Sequence, residues 1–371
     1  MSLTLENYKT IKANINNFAK IEKIESKLML GTVSKVSPLV TIIIPTYKRE
    51  IELEKAIYSV LNQENHNIDY EIIVVDNSSD FTETNDTLKL IKKINSEKIL
   101  YYINTSNLGQ AGNWNRGFEL ANGKFAALLH DDDLLAKKYF QTIEKDLAII
   151  KNKKIGFIRG SQITFSDEAD ICNFDISYKN KIKEYRKIHS LFLGIGPSSC
   201  PSCGILFDRE AVMQTGGFNQ DFYPSFDYIV GYQLLSLNYK VYFSDSIYGF
   251  YRIGVNESMK RENIINFVKC DFLFREFLYR ENLFARIFGI CFRKVQYKKS
   301  LMNMHNVSKT QFRQNISLDE FDFKGWFHKK MPLRTFIFDL LFALFGFYQQ
   351  DFSIMGYFKN KMKKYNKRNL R

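Results

Sequence analysis

The chain is poor in cysteine, with five among 371 residues. So sparse and odd a set excludes a disulfide-built scaffold and points to a reducing compartment. Long apolar runs are also missing: no stretch reaches the ~18 uninterrupted apolar residues of a membrane-spanning helix. The opening MSLTLENYKTIKANINNFAK is charged throughout and lacks the apolar core that a signal peptide needs. Neither GxxxxGK(S/T) nor a helix-opening GxGxxG occurs, which counts against an ATPase and against a dinucleotide-dependent oxidoreductase. What is present is an ordinary globular composition, 45% hydrophobic and 25% charged, so wholesale disorder and a collagen-like fibre are excluded. The length suggests two domains, or one large domain with an appendage.

Acid is in deficit, 40 Asp+Glu against 53 Lys+Arg, and the deficit is local. Lys260–Arg371 hold 23 basic and 9 acidic residues, a net of +14, whereas residues 1–259 carry a net of −1. The chain thus reads as a neutral body with a strongly basic tail.

Periodicity divides the body. Residues 1–37 place Ile11, Ile15, Phe18, Ile21, Ile24 and Leu28 at roughly helical spacing, which predicts one amphipathic helix ended by Gly31 and Pro38. From Val40, short β-branched runs alternate with helical segments. Strands are expected at Val40–Ile44, Glu71–Val75, Ile99–Ile103 and Phe125–Leu129, with helices at Ile51–Gln63, Thr82–Ile94, Asn113–Ala121 and Ala136–Ile150. Uniformly apolar strands such as TIII and IIVV suit a sheet covered by helices on both faces, and the alternation implies a mostly parallel α/β sheet. The stretch 160–205 looks irregular. Strand and helix signals return at Ile205–Phe207, Phe226–Leu237 and Lys240–Phe243, and beyond about 256 the chain looks helical. The expected domains are 1–37, a helical extension; 38–258, the α/β body; and 259–371, a basic, aromatic-rich helical region.

Ligands of such sheets bind beyond the carboxyl ends of the strands. Four strand ends here carry polar clusters: Pro45-Thr46-Tyr47-Lys48-Arg49, Asp76-Asn77-Ser78-Ser79-Asp80, the loop Asn107–Gly117, and His130-Asp131-Asp132-Asp133. Adjacent carboxylates after a buried strand repel one another unless a cation lies among them. Mg²⁺ or Mn²⁺ suits such oxygen donors and commonly also holds substrate phosphates. A bare helix cap would explain one Asp more readily than three.

These pieces, in order, are VTIIIPTYKR, EIIVVDNSSD, NLGQAGNWNRG, LLHDDDLL, GGFNQDFYPSFDY and YRIGVNES. Together, over about residues 38–258, they resemble the family 2 glycosyltransferases, enzymes of bacterial surface-polysaccharide synthesis among them. The resemblance implies a GT-A fold and an inverting, metal-dependent transfer of a sugar from a nucleotide-sugar donor, a UDP-sugar by expectation, to a hydroxyl of a glycan or lipid-linked acceptor. It places Pro45, Thr46, Tyr47 and Arg49 at the nucleotide pocket and Asp76 and Asn77 at base and ribose. It puts Asn107 and Gly109 in the donor-lining loop. Where the family often has Arg, this chain has Trp114, with Arg116 as a substitute. Asp131 is assigned to ribose, sugar and metal, Asp133 to the metal, and Asp132 to the donor without a fixed role. The base follows the GGF turn, Gly216-Gly217-Phe218, and the matching residue is Asp227, with Asp221 as its competitor. The family's metal-site His in Tyr-Arg-x-His is Gly254 here, which leaves Arg252 between a diphosphate contact and an ion pair.

Cys200-Pro201-Ser202-Cys203 has no second pair, and the five histidines are scattered, so it suggests pocket shape more than zinc. In the tail, Phe267, Phe272, Phe274, Phe277, Leu278, Phe288 and Phe292 alternate with arginines. Phe336–Tyr348 is then a 13-residue apolar run broken by Asp339, and seven basic residues follow from Lys359 to Arg371. This pattern fits an anionic membrane surface, and hence a peripheral position on the cytoplasmic face of the cell membrane. The alternative is packing on the body or on a second copy of the chain. Nucleic acid is not expected, for want of a recognisable binding module. Two other functions compete with the transferase: a sugar-phosphate nucleotidyltransferase, disfavoured because PTYKR has no glycine, and a non-catalytic scaffold of the same fold.

Overall fold

The computed structural model describes residues 4–13, 15–151, 154–171, 174, 176–190, 203–254, 260–310, 314–327 and 331–344. They fall into two compact units, Met1–Arg186 with Ser202–Asn256, and Lys187–Pro201 with Glu257–Arg371.

In the first unit the chain runs α1 (Leu5–Lys9), β1 (Ser26–Leu30), β2 (Val40–Thr46), α2 (Glu50–Leu61), β3 (Tyr70–Asp76), α3 (Asp86–Ile94), β4 (Ile99–Asn104) and α4 (Gly109–Leu120). It continues through β5 (Phe125–Leu128), β6 (Leu134–Leu135), α5 (Tyr139–Ile150), β7 (Ile155–Phe165) and β8 (Ile182–Tyr185). The short α6 (Lys187–Ser190) belongs to the second unit, and β9 (Ile205–Asp208), α7 (Arg209–Thr215), α8 (Phe226–Ser236) and β10 (Lys240–Arg252) complete the first.

All ten strands share one sheet, ordered β1-β4-β3-β2-β5-β9-β7-β10-β6 with β8 also on β10. The expected α/β architecture is present. Its parallel character resides in β4-β3-β2-β5 and in the β7–β10 pair, while β1, β9, β6 and β8 run antiparallel. Strands β2 and β4 are buried along their whole length, because helices cover both faces. From α2, the i, i+3, i+4, i+7 set Leu53, Ala56, Ile57 and Val60 enters the core against Ile42, Ile44 and Val74. The register sets Thr46 of β2 beside Asp76 of β3, so the polar clusters emerge together at one edge.

Three differences from the sequence reading stand out. The single helix expected over 1–37 is replaced by α1, two 3₁₀ turns at Thr10–Ala13 and Phe18–Lys20, and strand β1. Tertiary bonds displace the helical ladder: Asn17 N–H donates to the Gly216 carbonyl at 2.8 Å, and Ser26–Leu30 pairs with the edge of β4. The supposedly irregular stretch opens with the eleven-residue β7, and β10 runs thirteen residues rather than four, the two strands supporting each other in parallel. Of the CxxC motif, residues 200–202 lie outside the described residues. Cys203 is buried, with Sγ 3.5 Å from the Leu134 carbonyl.

The second unit contains α9 (Arg261–Leu278), α10 (Leu283–Thr310), α11 (Leu318–Phe321) and α12 (Pro332–Leu344). It has its own core. Phe272, Tyr297, Phe323 and Trp326 pack mostly edge to face, and a buried Arg275–Asp271 pair is joined at 3.0 Å within α9. Phe267, Phe272, Phe274, Phe277, Leu278, Phe288 and Phe292, for which membrane contact and packing were both expected, are all buried here. The Lys359–Arg371 cluster lies outside the described residues.

Candidate active site

The edge formed by the carboxyl ends of β2 to β5 is built around the loop His130–Asp133 that follows β5. The Asp133 side chain is fully buried, and its Oδ1 accepts the Arg252 N–H at 2.9 Å. Arg252 itself is buried: Nε donates to the Asp132 carbonyl at 2.9 Å, Nη2 reaches Glu168 at 3.1 Å, and the guanidinium lies 4.5 Å over the Phe165 ring. One arginine at the end of β10 thus clamps both the backbone and a carboxylate of the acidic loop. The sequence left this residue between two roles, and the structure makes it an anchor of the loop.

Asp131 and Asp132 turn toward the first cluster. Thr46 Oγ1 donates to Asp131 Oδ2 at 2.9 Å, and Arg49 Nη1 lies 2.6 Å from Asp132 Oδ2 and 3.5 Å from Asp131 Oδ1. Burial and the neighbouring Asp132 charge push Asp131 up to about 7, against the opposing pull of Arg49 and Thr46. Burial raises Asp133 as well. Carboxylates that resist ionisation in this way mark a place where a cation would lower the electrostatic cost.

The side chains that could share a cation are His130, Asp132 and Asp133, whose ligand-capable atoms all lie within 4.8 Å of one another. Asp133 Oδ2 faces His130 Nδ1 at 3.3 Å, and both Asp133 Oδ2 and His130 Nε2 are buried without a hydrogen-bond partner among the described residues. An imidazole with two carboxylates fits Mn²⁺ well and Mg²⁺ less so. Asp133 belongs to this trio, Asp131 lies outside it, and His130 joins it although the sequence reading gave it no ligand role. Its only signal in the sequence is its place directly before the three acids. Burial lowers the pKa of His130, but contact with Asp133 and the charges of all three acids outweigh this and leave it raised.

The second and third clusters form an amide network whose inner members, Asn77 and Asn104, are buried while Asn107 is exposed. Asn77 Nδ2 donates to Asn107 Oδ1 at 2.9 Å, while Asn77 Oδ1 accepts from Asn104 Nδ2 at 3.1 Å and from the Leu108 N–H at 2.8 Å. Asp76 is fully buried, with Oδ1 accepting the Ser78 N–H at 2.8 Å and Oδ2 the Tyr101 hydroxyl at 2.7 Å. Gly109, at φ +68°, opens α4, and Asn107 Oδ1 accepts its N–H at 2.8 Å. Pro45 is buried in β2 opposite Val75, and Tyr47 is 48% exposed, with Lys48 Nζ 5.4 Å over its ring. Arg116 is directed elsewhere: Nη2 donates to the carbonyls of Ile21 and Ile24 at 2.9 and 2.6 Å, and Nε pairs with Glu119 at 3.0 Å. It secures the N-terminal segment, which was not expected of it.

Asp227 lies in the first turn of α8, partly exposed, with Oδ1 accepting the Tyr228 N–H at 2.8 Å. Burial pushes it up to about 6, although Tyr228, His130 and the buried Arg159 pull the other way. Its competitor Asp221 is exposed and 3.9 Å from Lys20, without comparable surroundings. The GGF turn that leads to α8 is fixed by Asn115 of α4, which accepts the Phe218 N–H at 2.7 Å and donates to the Phe218 carbonyl at 2.8 Å. Gly216 and Gly217 have φ of +83° and +78°, and a Cβ on Gly217 would lie 2.5 Å from Asn115 Oδ1. Trp114 stacks on His130 and meets Phe226 edge-on, so the residue standing for an expected arginine is an aromatic bridge between the acidic loop and α8.

Residues 41–216 match the family model described as glycosyl transferase family 2. Over that stretch, a little under half of the chain, the sequence is similar to that family. Among curated relatives, the chain is 39% identical over 108 residues to the GalNAc(5)-diNAcBac-PP-undecaprenol beta-1,3-glucosyltransferase of Campylobacter jejuni, covering 29% of this chain and 33% of that one. It is 38% identical over 100 residues to the abequosyltransferase RfbV of Salmonella typhimurium, covering 27% and 29%. The matches thus span about a third of each relative's length. Among solved structures, TarS of S. aureus in complex with UDP-GlcNAc aligns with a TM-score of 0.47 at 15% identity, over 84% of this chain and 93% of that one. A mannosyltransferase of Pyrobaculum calidifontis in complex with GDP-Man and Mn²⁺ aligns with a TM-score of 0.48 at 13% identity, over 94% and 91%.

Proposed function

We propose that this chain is a metal-dependent, inverting glycosyltransferase that moves a sugar from a nucleotide-sugar donor, expected to be a UDP-sugar, to a hydroxyl of a glycan or lipid-linked acceptor in polysaccharide synthesis. The observation that carries the reading is the trio His130, Asp132 and Asp133 at one sheet edge with a burial-raised Asp227, because transfer needs an anion-handling centre and a base at one place. The acceptor class follows the two curated relatives, one of which by its name acts on an undecaprenol-diphosphate-linked saccharide.

In this mechanism Tyr47 stacks on the base, Asn77 positions the Asn107 side chain and the Leu108–Gly109 backbone that line the donor, and Arg49, held by Asp131 and Asp132, offers a charge toward the phosphates. His130, Asp132 and Asp133 would hold a Mn²⁺ or Mg²⁺ ion, which when bound supplies Lewis-acid neutralisation of the leaving nucleoside diphosphate. Asp227 accepts the proton of the acceptor hydroxyl as that oxygen bonds to the anomeric carbon from the face opposite the diphosphate. The bond from the anomeric carbon to the diphosphate oxygen breaks, and configuration inverts. A carboxylate poised near 6 is ionised at neutral pH yet basic enough for this transfer.

Residence at the cytoplasmic membrane face belongs to the same reading, since a lipid-linked acceptor lies there. The deciding experiment is nucleotide release across a panel of sugar nucleotides, with and without EDTA. EDTA-sensitive release from one donor is expected, and its absence with every donor would overturn the proposal.

A further inference from the structure

In the helical unit, burial has an unusual sense. Helix α12 sends Phe338, 3% exposed, against Phe288 and Phe292 of α10, with centroids 6.1 and 5.7 Å away, and Lys299 of α10 pairs with its Asp339 at 2.6 Å. At 100° per residue the opposite side of α12 is Leu333, Phe336, Ile337 and Leu340, an i, i+3, i+4, i+7 stripe. Those four are 69, 66, 39 and 51% exposed. The apolar face points outward. The first turns of α10 repeat the pattern: Ala285, Phe288, Gly289 and Phe292 are buried, while Leu283, Phe284, Ile287 and Ile290 lie 52–72% exposed on the other side. Two adjacent helices with eight large apolar side chains turned to solvent mark an interaction surface.

Charge selects the occupant. Helix α10 carries Arg286, Arg293, Lys294, Lys298, Lys299 and Lys309 and no acidic residue in 28 positions, and the sequence beyond Leu344 adds seven basic residues against Asp351 alone. A second copy presenting the same face would bring like charge to like charge. An anionic bilayer meets both requirements, since its acyl boundary takes the apolar stripe and its headgroups take the flanking cations. We infer that the outward faces of α10 and α12 form a docking surface for an anionic lipid bilayer. The inference deepens the transferase reading by naming the surface that would bring the enzyme to a membrane-held acceptor, and it rests on that reading only for its purpose.

The test is flotation of the full chain with vesicles of phosphatidylglycerol and phosphatidylcholine in equal parts, against phosphatidylcholine alone. Four variants are compared: Ile287→Ser with Ile290→Ser, Phe336→Ser with Leu340→Ser, all four together, and the control Ile149→Ser, an exposed apolar residue of α5. Wild type and control should float with anionic vesicles only. Each double variant should lose roughly tenfold in vesicle partitioning, and the quadruple variant should remain at the bottom of the gradient. Unchanged helical circular dichroism and unchanged nucleotide release from soluble donor confirm that the variants are folded. Flotation of the quadruple variant at wild-type level would overturn the inference. So would sedimentation showing a wild-type dimer that the variants dissolve, since the face would then belong to a second copy. Nucleotide release is read separately, so its absence would remove the transferase reading and leave the lipid result standing.

Discussion

Trp114 lies over His130, ring centroids 5.1 Å apart and planes 27° apart. The indole is 4% exposed and also meets Phe218 and Phe226 edge-on at 5.3 and 4.7 Å, so one side chain of α4 sets both the imidazole of the acidic loop and the start of α8. Trp114→Ala should cost about 3–5 kcal/mol of stability and weaken Mn²⁺ binding. Trp114→Phe, which keeps a ring over His130, should recover most of both. Urea unfolding and Mn²⁺ titration followed by electron paramagnetic resonance check the two effects.

The proposed cation trio gives the three aspartates different expected effects. His130→Ala and Asp133→Asn should each raise the Mn²⁺ dissociation constant by roughly tenfold or more, as one of three donors is lost. Asp131→Asn should change it far less, because Asp131 is engaged by Thr46 and Arg49 outside the trio. Equal losses from Asp131→Asn and Asp133→Asn would place the ion elsewhere.

Arg252 acts through the loop that it holds. Arg252→Met removes the guanidinium bonds to the Asp132 carbonyl and Glu168 but leaves the backbone N–H on Asp133. Metal affinity or turnover should fall by roughly 10–100-fold. Arg252→Lys should restore little, since one ammonium cannot reproduce the planar fork.

Asp227→Asn should lower kcat by ~10² or more while the donor KM stays within a few-fold. The wild-type rate should also depend on pH with the sign of a base. Below about 6 the raised carboxyl is protonated and cannot accept the acceptor's proton; above it the carboxylate form prevails, so activity rises through that region and levels off. An acidic limb near the ordinary carboxylate value, about 4, would argue against Asp227.

Gly117 lets α4 lie on β2. A Cβ there would stand 2.3 Å from Ile43 Cγ2, inside the core, so Gly117→Ala must push the helix from the sheet. A loss of about 1–3 kcal/mol is expected, measurable as a lower urea midpoint at unchanged slope.

Much of the candidate site was legible because its signals are local. The runs VTIII and EIIVV, with helical periodicity between them, gave β2, β3 and their helices within a few residues, and strand ends are where such sheets bind ligands. His130 was missed because a histidine before three acids looks the same whether it points inward or out. Arg116 was misassigned because nothing in NWNRG reveals that the Ile21 and Ile24 carbonyls lie within its reach. The helix expected at the N-terminus failed on competition: its apolar spacing is real, but the Gly216 carbonyl and the edge of β4 offered the backbone better partners.

The amino-acid sequence by itself determined the α/β class, the acids at the strand ends and the partition of charge into a neutral body and a basic tail. Those features follow from short-range patterning and from which residues can bear burial. Only the tertiary structure decided which acids gather beside His130, that Arg252 clamps them, and that the tail's phenylalanines divide into a core and an outward stripe on α10 and α12. Each of these depends on contacts between residues far apart in the chain, and periodicity can show that a helix has two unlike faces without showing which of them finds a partner.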